Sequence, residues 1–212
     1  ATLWVETRAE ERERALLLTR AEIIASAIDI EDFDELDGKV SDLNKTEYQN
    51  LKRMVTQLKE VQEDARFVYL MGYESGDQLF FYVDSEDSSS DDYSAPGDIY
   101  YDTDALQLSA FRNGESFVQG PYKDAWGDWV SGFAPILDPK TGDTLALVGI
   151  DIHAELWRAN IFREILVPIV ITLFFLSLLI FYILFRKHVQ KYINQIELSE
   201  EEAGIQKNRL RT

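Results

Sequence analysis

The chain lacks cysteine altogether, has only two histidines among its 212 residues, and carries few basic side chains. The absence of cysteine is compatible with an oxidising compartment outside the cell. Lysine and arginine together number 21, against 38 aspartates and glutamates, and the net charge is −17 at pH 7. A chain this acidic repels nucleic acids and anionic membrane surfaces, which excludes nucleic acid as a partner.

The sequence motifs of several enzyme classes are also absent. There is no Gly-x-Ser-x-Gly, no His-Glu-x-x-His and no glycine-rich phosphate loop. His153 falls at the end of a predicted strand and His188 directly follows an apolar run, where an interfacial role is favoured over catalysis. Asp124 and Asp151 are the remaining candidates for an acid–base pair. We therefore predict that this chain is not an enzyme and holds neither a cofactor nor a metal ion.

One long apolar run dominates what is present. Residues 165–185, ILVPIVITLFFLSLLIFYILF, contain no charge over 21 positions. As an α-helix this run spans about 31 Å, the thickness of the hydrocarbon core of a bilayer. Apolar stretches in soluble cores rarely exceed about 14 residues. We therefore predict one transmembrane helix over residues 161–187, slightly bent at Pro168.

Basic residues near the ends of this run indicate its orientation. Within about 20 positions, two lysine or arginine residues precede it and three follow it, at Arg186, Lys187 and Lys191. From residue 186 onward, six lysine or arginine residues and four glutamates give a charge of +2, so the rest of the chain carries −19. We expect residues 1–160 to be extracytoplasmic and residues 188–212 to be cytoplasmic, at an inner or plasma membrane.

The first residues are typical of a membrane interface rather than of a signal peptide. Residues 1–5 carry no charged region and no long apolar run. Leu3, Trp4 and Val5, followed by charged residues, are typical of the interfacial end of a membrane helix. We expect a longer protein in which an earlier membrane helix precedes this chain.

Helical periodicity marks both ends of the chain. Residues 5–30 predict one long helix with a heptad-like seam of Leu17, Ala21, Ile24 and Ile28. This seam packs either on the sheet of its own domain or on a second copy of the chain. A second helix carries one apolar face, made of Tyr48, Leu51, Val55, Leu58 and Val61. After the membrane run, another seam predicts the start of a two-stranded helix: Val189, Ile193, Ile196, Ala203 and Leu210.

From residue 65 the apolar period changes from that of a helix to that of a strand. Residues 66–72 and 78–84 predict a hairpin, residues 85–98 an acidic loop, and residues 99–113 a short helix or ordered segment. Three more strands are expected at residues 116–119, 128–137 and 144–152. The last strand is apolar on both faces, which predicts a central position in the sheet.

Asp151 interrupts the apolar pattern of that last strand. It shares a face with Leu147 and Gly149, and it must find a partner because an unpaired buried carboxylate costs several kcal/mol. Soon after the strand the chain turns helical at Ala154 and continues without proline or glycine as far as Pro168. A strand joined so directly to a membrane helix can pass a movement of the sheet to that helix.

Three sequence strings, in this order of elements, resemble the Cache family, the extracytoplasmic PAS-like sensor domains of bacterial and archaeal receptors. The strings are residues 120–127 (GPYKDAWG), 129–136 (WVSGFAPI) and 148–152 (VGIDI). The resemblance covers residues 5–160. It implies an α+β fold with a five-stranded antiparallel sheet, a ligand pocket on one face and the long N-terminal helix on the other. It also implies a receptor whose output is a histidine kinase of a two-component system, a diguanylate cyclase or a chemotaxis domain.

The resemblance also implies roles for particular residues. Cache domains that bind amino acids and amines hold the ammonium of the ligand with a Tyr-x-Asp motif and an aspartate on the last strand. In this sequence those positions are Tyr122, Asp124 and Asp151. Amino-acid binders add an Arg-x-Trp-Tyr motif for the carboxylate, whereas residues 96–102 contain neither arginine nor tryptophan.

An acid-lined site with aromatic walls suits an amine or other cation, by charge pairing and cation–π attraction. The expected walls are Tyr100, Tyr101, Trp126 and Trp129. We therefore expect an amine or other cation in preference to an amino acid. In the alternative, Asp124 and Asp151 satisfy backbone donors and the aromatic residues belong to the core.

The sequence thus predicts the sensor portion of a membrane receptor. A small-molecule ligand outside would shift the helix that crosses the membrane, in a homodimer formed through the N-terminal and transmembrane helices. The alternative is a domain for dimerisation or partner-protein sensing that has no small-molecule ligand. A well-formed polar pocket would favour the first function, and a filled sheet face the second.

Overall fold

The structure, a computed structural model, describes residues 2–33 and 35–209, with side chains described for residues 7–33, 35–196 and 198. The chain divides into two compact units, Ala1–Phe162 and Arg163–Thr212. The sequence predictions for five residues concern side chains outside those described: Leu3, Trp4, Val5, Ala203 and Leu210.

Three α-helices of the first unit precede or interrupt its sheet. They are α1 (Thr2–Ala27), α2 (Thr46–Glu60) and α3 (Ala105–Asn113), with 3-10 turns at Ile30–Phe33 and Val40–Asn44. Helix α1 ends three residues earlier than predicted. The Asp29 carboxylate accepts a hydrogen bond from the Glu31 amide at 3.1 Å, a local contact that competes with helical geometry.

Six antiparallel strands form one sheet in the order β3-β2-β1-β6-β5-β4. Their bounds are β1 (Ala65–Glu74), β2 (Gln78–Asp84), β3 (Ile99–Tyr100), β4 (Phe117–Lys123), β5 (Asp128–Leu137) and β6 (Thr144–His153). The predicted count of five strands is wrong. The extra strand is β3, where Ile99 and Tyr100 pair with Phe80 and Leu79, and two residues are too short to produce a period-2 pattern.

The helix-covered face of the sheet contains the aliphatic core. Leu17, Ala21, Ile24 and Ile28 are all buried there, so the α1 seam packs on the sheet of its own domain. A Cβ at Gly132 of β5 would lie 2.9 Å from Leu17 Cγ, so glycine is needed for this close approach. On α2, Tyr48, Leu51 and Val55 are buried, whereas Val61 follows the helix and is exposed.

The opposite face of the sheet carries an aromatic layer. Its buried members are Phe67, Tyr69, Met71, Leu79, Phe81, Tyr100, Trp129, Phe133 and Leu147. Strand β6 lies between β1 and β5 and is buried on both faces, which confirms its predicted central position. Asp151 lies on the aromatic face, opposite Phe67 of β1 and Ser131 of β5.

Helix α4 (Ala154–Arg209) begins directly after β6 and has 56 residues. Its first turns belong to the first unit, where Ala154 and Trp157 are buried. Among the described residues, one helix, over Ala154–Ile196, is long and apolar enough to cross a membrane, with a mean hydropathy of 2.7 over its 18-residue apolar window. Within the apolar run, the Thr172 hydroxyl donates to the Pro168 carbonyl at 2.7 Å, so this polar group is satisfied within the helix itself.

Candidate ligand-binding site

A small cavity lies on the aromatic face of the sheet. Its volume is about 20 Å³, roughly the room needed by one water molecule. Ten residues line it: Phe67, Tyr69, Phe81, Asp84, Asp92, Ser94, Tyr100, Asp124, Trp126 and Asp151. Four of the ten are aspartates, so the space is both nearly filled and strongly acidic.

Asp151 is 4% exposed, and its hydrogen bonds are confined to one oxygen. Oδ1 accepts from the Tyr69 hydroxyl at 3.0 Å and from Ser131 Oγ at 2.5 Å. No group within the described part of the chain donates to Oδ2. Burial raises the pKa of Asp151 to about 7, and the hydrogen bonds from Ser131 and Tyr69 oppose that shift. The partners that the sequence required are therefore two neutral hydroxyls.

Tyr69 reaches Asp151 because the residue opposite it on β6 is glycine. Tyr69 pairs with Gly149, and a Cβ at Gly149 would lie 2.1 Å from the tyrosine ring. The ring therefore lies across the neighbouring strand and directs its hydroxyl to the carboxylate. Burial raises the pKa of Tyr69 well above its ordinary value, so this hydroxyl remains a hydrogen-bond donor.

Tyr122 is linked to the cavity carboxylate of Asp151 through Ser131 rather than directly. Its hydroxyl lies 2.9 Å from Ser131 Oγ, and Ser131 in turn donates to Asp151. Tyr122 is not among the residues that line the cavity. Sequence reasoning missed Ser131, although it is a polar residue in an apolar strand that faces Asp151 in the β5–β6 register.

Asp124 fastens the turn between β4 and β5. Its Oδ1 accepts from the amides of Trp126 at 2.9 Å and Gly127 at 3.1 Å, and from Trp129 Nε1 at 2.8 Å. Oδ2 accepts from the hydroxyl of Tyr100, another cavity residue, at 3.3 Å. The alternative raised from the sequence, satisfaction of backbone donors, thus describes one oxygen, and the other takes part in the cavity.

The four aromatic residues that the sequence predicted as cavity walls occupy three different environments. Trp126 stacks on Tyr100 with ring centroids 6.1 Å apart, and both line the cavity. Trp129 is fully buried beneath it, with its ring 5.2 Å from Phe67 and 4.4 Å from His153. Tyr101 is 84% exposed at the surface, because β3 ends at Tyr100 and the next side chain points away.

Two further aspartates border the cavity, Asp84 at the end of β2 and Asp92 in the acidic loop of residues 85–98, and sequence reasoning assigned neither of them to a site. Asp84 is 3% exposed and accepts from the amides of Glu86 at 2.9 Å and Ser94 at 2.8 Å. Burial raises its pKa. Asp92 pairs with Arg66 at 2.6 Å. A run of acidic residues carries no sign of which carboxylates turn inward, so this contribution was not visible beforehand.

Three cavity carboxylates, those of Asp84, Asp124 and Asp151, have no ion-pair partner among the described side chains. In the same part of the chain there is no group of three or more side chains placed to hold a metal ion. A desolvated cluster of this kind favours a positively charged hydrogen-bond donor that can approach Asp151 Oδ2.

Among solved structures, the chain is similar to sensory domains of a chemoreceptor from Campylobacter jejuni. The ligand-binding domain of chemoreceptor Tlp3 in complex with L-valine has a TM-score of 0.45 and 16% identity, over 75% of this chain and 60% of that one. The same domain with 4-methylisoleucine has a TM-score of 0.48 and 13% identity, over 74% of this chain and 58% of that one. These domains agree in kind with the sensor domains that the sequence resembles.

The chain spans about 60% of the length of the solved chains that it matches. No protein-family model and no curated protein matches the sequence. The solved domains are described with amino acids, L-norvaline among them. The preference for an amine or other cation over an amino acid is therefore wrong. It rested on the acid-lined, aromatic site and on the missing arginine and tryptophan in residues 96–102, but hydroxyl and backbone N–H groups also bind carboxylates.

Proposed function

We propose that residues 1–160 form an extracytoplasmic sensor domain that binds a small ligand carrying an ammonium group, a class that includes amino acids. The observation that carries this proposal is the free Oδ2 of buried Asp151, in a strand that continues directly into α4. Asp124 supplies a second carboxylate, and the hydroxyl of Tyr100 and the side chain of Ser94 supply neutral contacts.

Ligand entry requires the cavity to widen. A volume of about 20 Å³ is far below the several hundred Å³ typical of ligand pockets. Trp126 lies in a short turn held by the Asp124 carboxylate, so it can swing outward when a ligand takes over part of that carboxylate. We infer that Trp126 and Tyr100 separate on binding and close over the ligand.

The signal passes to α4 over a short path. Trp129 donates to Asp124 and contacts the His153 ring at a tilt of 31°, and His153 directly precedes Ala154, the first residue of α4. We infer that a change at Asp124 moves the Trp129 ring and, with it, the start of the helix. In a homodimer, α4 would then slide or rotate by roughly 1–2 Å relative to its mate, with residues 161–187 in the membrane and residues 188–212 in the cytoplasm.

The nearly filled cavity favours a second candidate, a domain that senses a partner protein and has no small ligand. The two candidates differ in what stabilises the full chain in a lipid nanodisc. A ligand at 100 times its dissociation constant adds about 2.7 kcal/mol to the free energy of unfolding. Thermal unfolding against amino acids and amines should therefore reveal a shift that Asp151→Asn abolishes. Asp143→Asn, an exposed aspartate in the β5–β6 turn, is the control and should keep it.

If no compound shifts the melting temperature and Asp151→Asn changes only basal stability, the partner-protein candidate replaces the ligand sensor. The transmission step has a separate test, which the absence of native cysteine makes simple. Single cysteines placed along residues 165–196 should cross-link at rates that change when the identified ligand is added. Unchanged rates together with clear ligand binding would contradict movement of α4.

A further inference from the structure

A chain of hydroxyl groups ends at the carboxyl group of Asp151. Tyr122 OH lies 2.9 Å from Ser131 Oγ, and Ser131 Oγ lies 2.5 Å from Asp151 Oδ1. Because Ser131 has one hydroxyl proton and gives it to the carboxylate, Tyr122 must be the donor in the outer hydrogen bond. The half-buried Tyr122 therefore connects to the fully buried Asp151 through Ser131 alone.

The groups that face Asp151 are neutral or negative. They are Tyr69 on β1, Asp84 on β2, Tyr100 on β3, Tyr122 on β4 and Asp124 in the β4–β5 turn. Two cations close to cavity residues are already engaged with other groups. Arg66 pairs with Glu86 and Asp92, and Lys52 donates to the backbone carbonyls of Asp84 and Glu86.

This environment disfavours a charge on Asp151 by two independent routes. The side chain is removed from water, and three further carboxylates border the same small cavity; of these, Asp92 is paired with Arg66, whereas Asp84 and Asp124 have no ion-pair partner among the described side chains. A neutral Asp151 keeps both of its observed hydrogen bonds, because Oδ1 still accepts from Tyr69 and Ser131. The added proton then resides on Oδ2, the oxygen to which no described group donates.

We propose that Asp151 is a proton-binding site of the cavity, with Ser131 and Tyr122 as the positioning residues that set its affinity for the proton. The domain then responds to the external pH as well as to its ligand. The consequence for ligand binding rests on the proposed function. An ammonium group binds the ionised carboxylate, so the proton and the ligand compete for Asp151. Apparent ligand affinity falls by up to tenfold for each pH unit below the midpoint of the Asp151 titration.

The test needs no ligand, so it does not depend on the proposed function. Aspartate side-chain carboxyls are labelled with carbon-13 in the full chain in lipid nanodiscs and titrated between about pH 4 and pH 9. We expect one signal that is absent from Asp151→Asn to titrate near pH 7. Ser131→Ala removes a donor to the ionised form and should raise that midpoint by about one pH unit, a tenfold gain in proton affinity.

Three further variants make the result specific. Tyr122→Phe should shift the midpoint in the same direction by less, and Ser131→Thr should restore it. Ser85→Ala removes another buried hydroxyl, which accepts from the Val68 amide, and should leave the midpoint unchanged. The proposal is overturned if the Asp151 signal titrates with the exposed aspartates, or if Ser131→Ala moves it no more than Ser85→Ala.

Discussion

The two faces of β6 differ in chemistry although their residues alternate along one strand. Val148, Ile150 and Ile152 face the helices and belong to the aliphatic core. Leu147, Gly149 and Asp151 face the aromatic layer, where hydroxyls and carboxylates border a cavity. We expect the first face to supply more of the free energy of unfolding than the second, which holds a buried carboxylate with no ion-pair partner among the described side chains.

Ile150→Ala should have the largest effect on stability, because it opens a cavity in the completely buried aliphatic face. We expect a loss of about 2–5 kcal/mol in the free energy of unfolding, measured with denaturant. Leu137→Ala, at a half-exposed position on β5, should cost much less. A similar loss for the two variants would mean that the helix-covered face is not the stabilising one.

Gly149→Ala tests whether the aromatic face depends on close packing as well. A Cβ there collides with the Tyr69 ring and should displace its hydroxyl from Asp151, at a cost of about 1–3 kcal/mol. Tyr69→Phe removes the same hydroxyl without crowding the strand. If Gly149→Ala is as stable as the wild type, the two strands have more room than this register allows.

Most substitutions in a protein core lower the free energy of unfolding, whereas we expect Asp151→Asn to raise it, by an amount that depends on pH. Burial raises the pKa of Asp151 to about 7 from an ordinary 3.8, so the folded state binds the proton more tightly than the unfolded chain. The wild type therefore loses stability as pH rises from about 4 to about 7, and the variant lacks this loss. At pH 8 we expect the variant to be more stable by up to about 4 kcal/mol; at pH 4 the gain should vanish.

Tyr101→Ala should have the smallest effect, since its ring lies in solvent. We expect a change within about 0.5 kcal/mol and no change in the melting shift caused by an identified ligand. Tyr100→Ala, its neighbour in the cavity wall, should reduce that shift. Equal effects of the two substitutions would contradict the assignment of the cavity side of β3.

The sequence was sufficient for features that depend on local pattern. An apolar run on both faces of the strand predicted a central β6 and showed that Asp151 would need a partner, and length with composition predicted the apolar helix. Ser131 and Tyr69 were not predictable because their role depends on strand register, which no local pattern reports. Tyr100 and Tyr101 were equivalent in sequence and became different only when a two-residue strand turned one of them inward.

Asp84 also has a consequence for engineering the chain. Its carboxylate binds the amides of Glu86 and Ser94 together, so both ends of the intervening loop are fastened at a single point. Residues 87–91, at the tip of this loop, are therefore not part of the cavity wall. Loop tips of small polar residues commonly tolerate insertions. A short epitope or fluorophore-binding peptide inserted between Ser88 and Ser89 would then label the domain while leaving both β2 and the cavity in place.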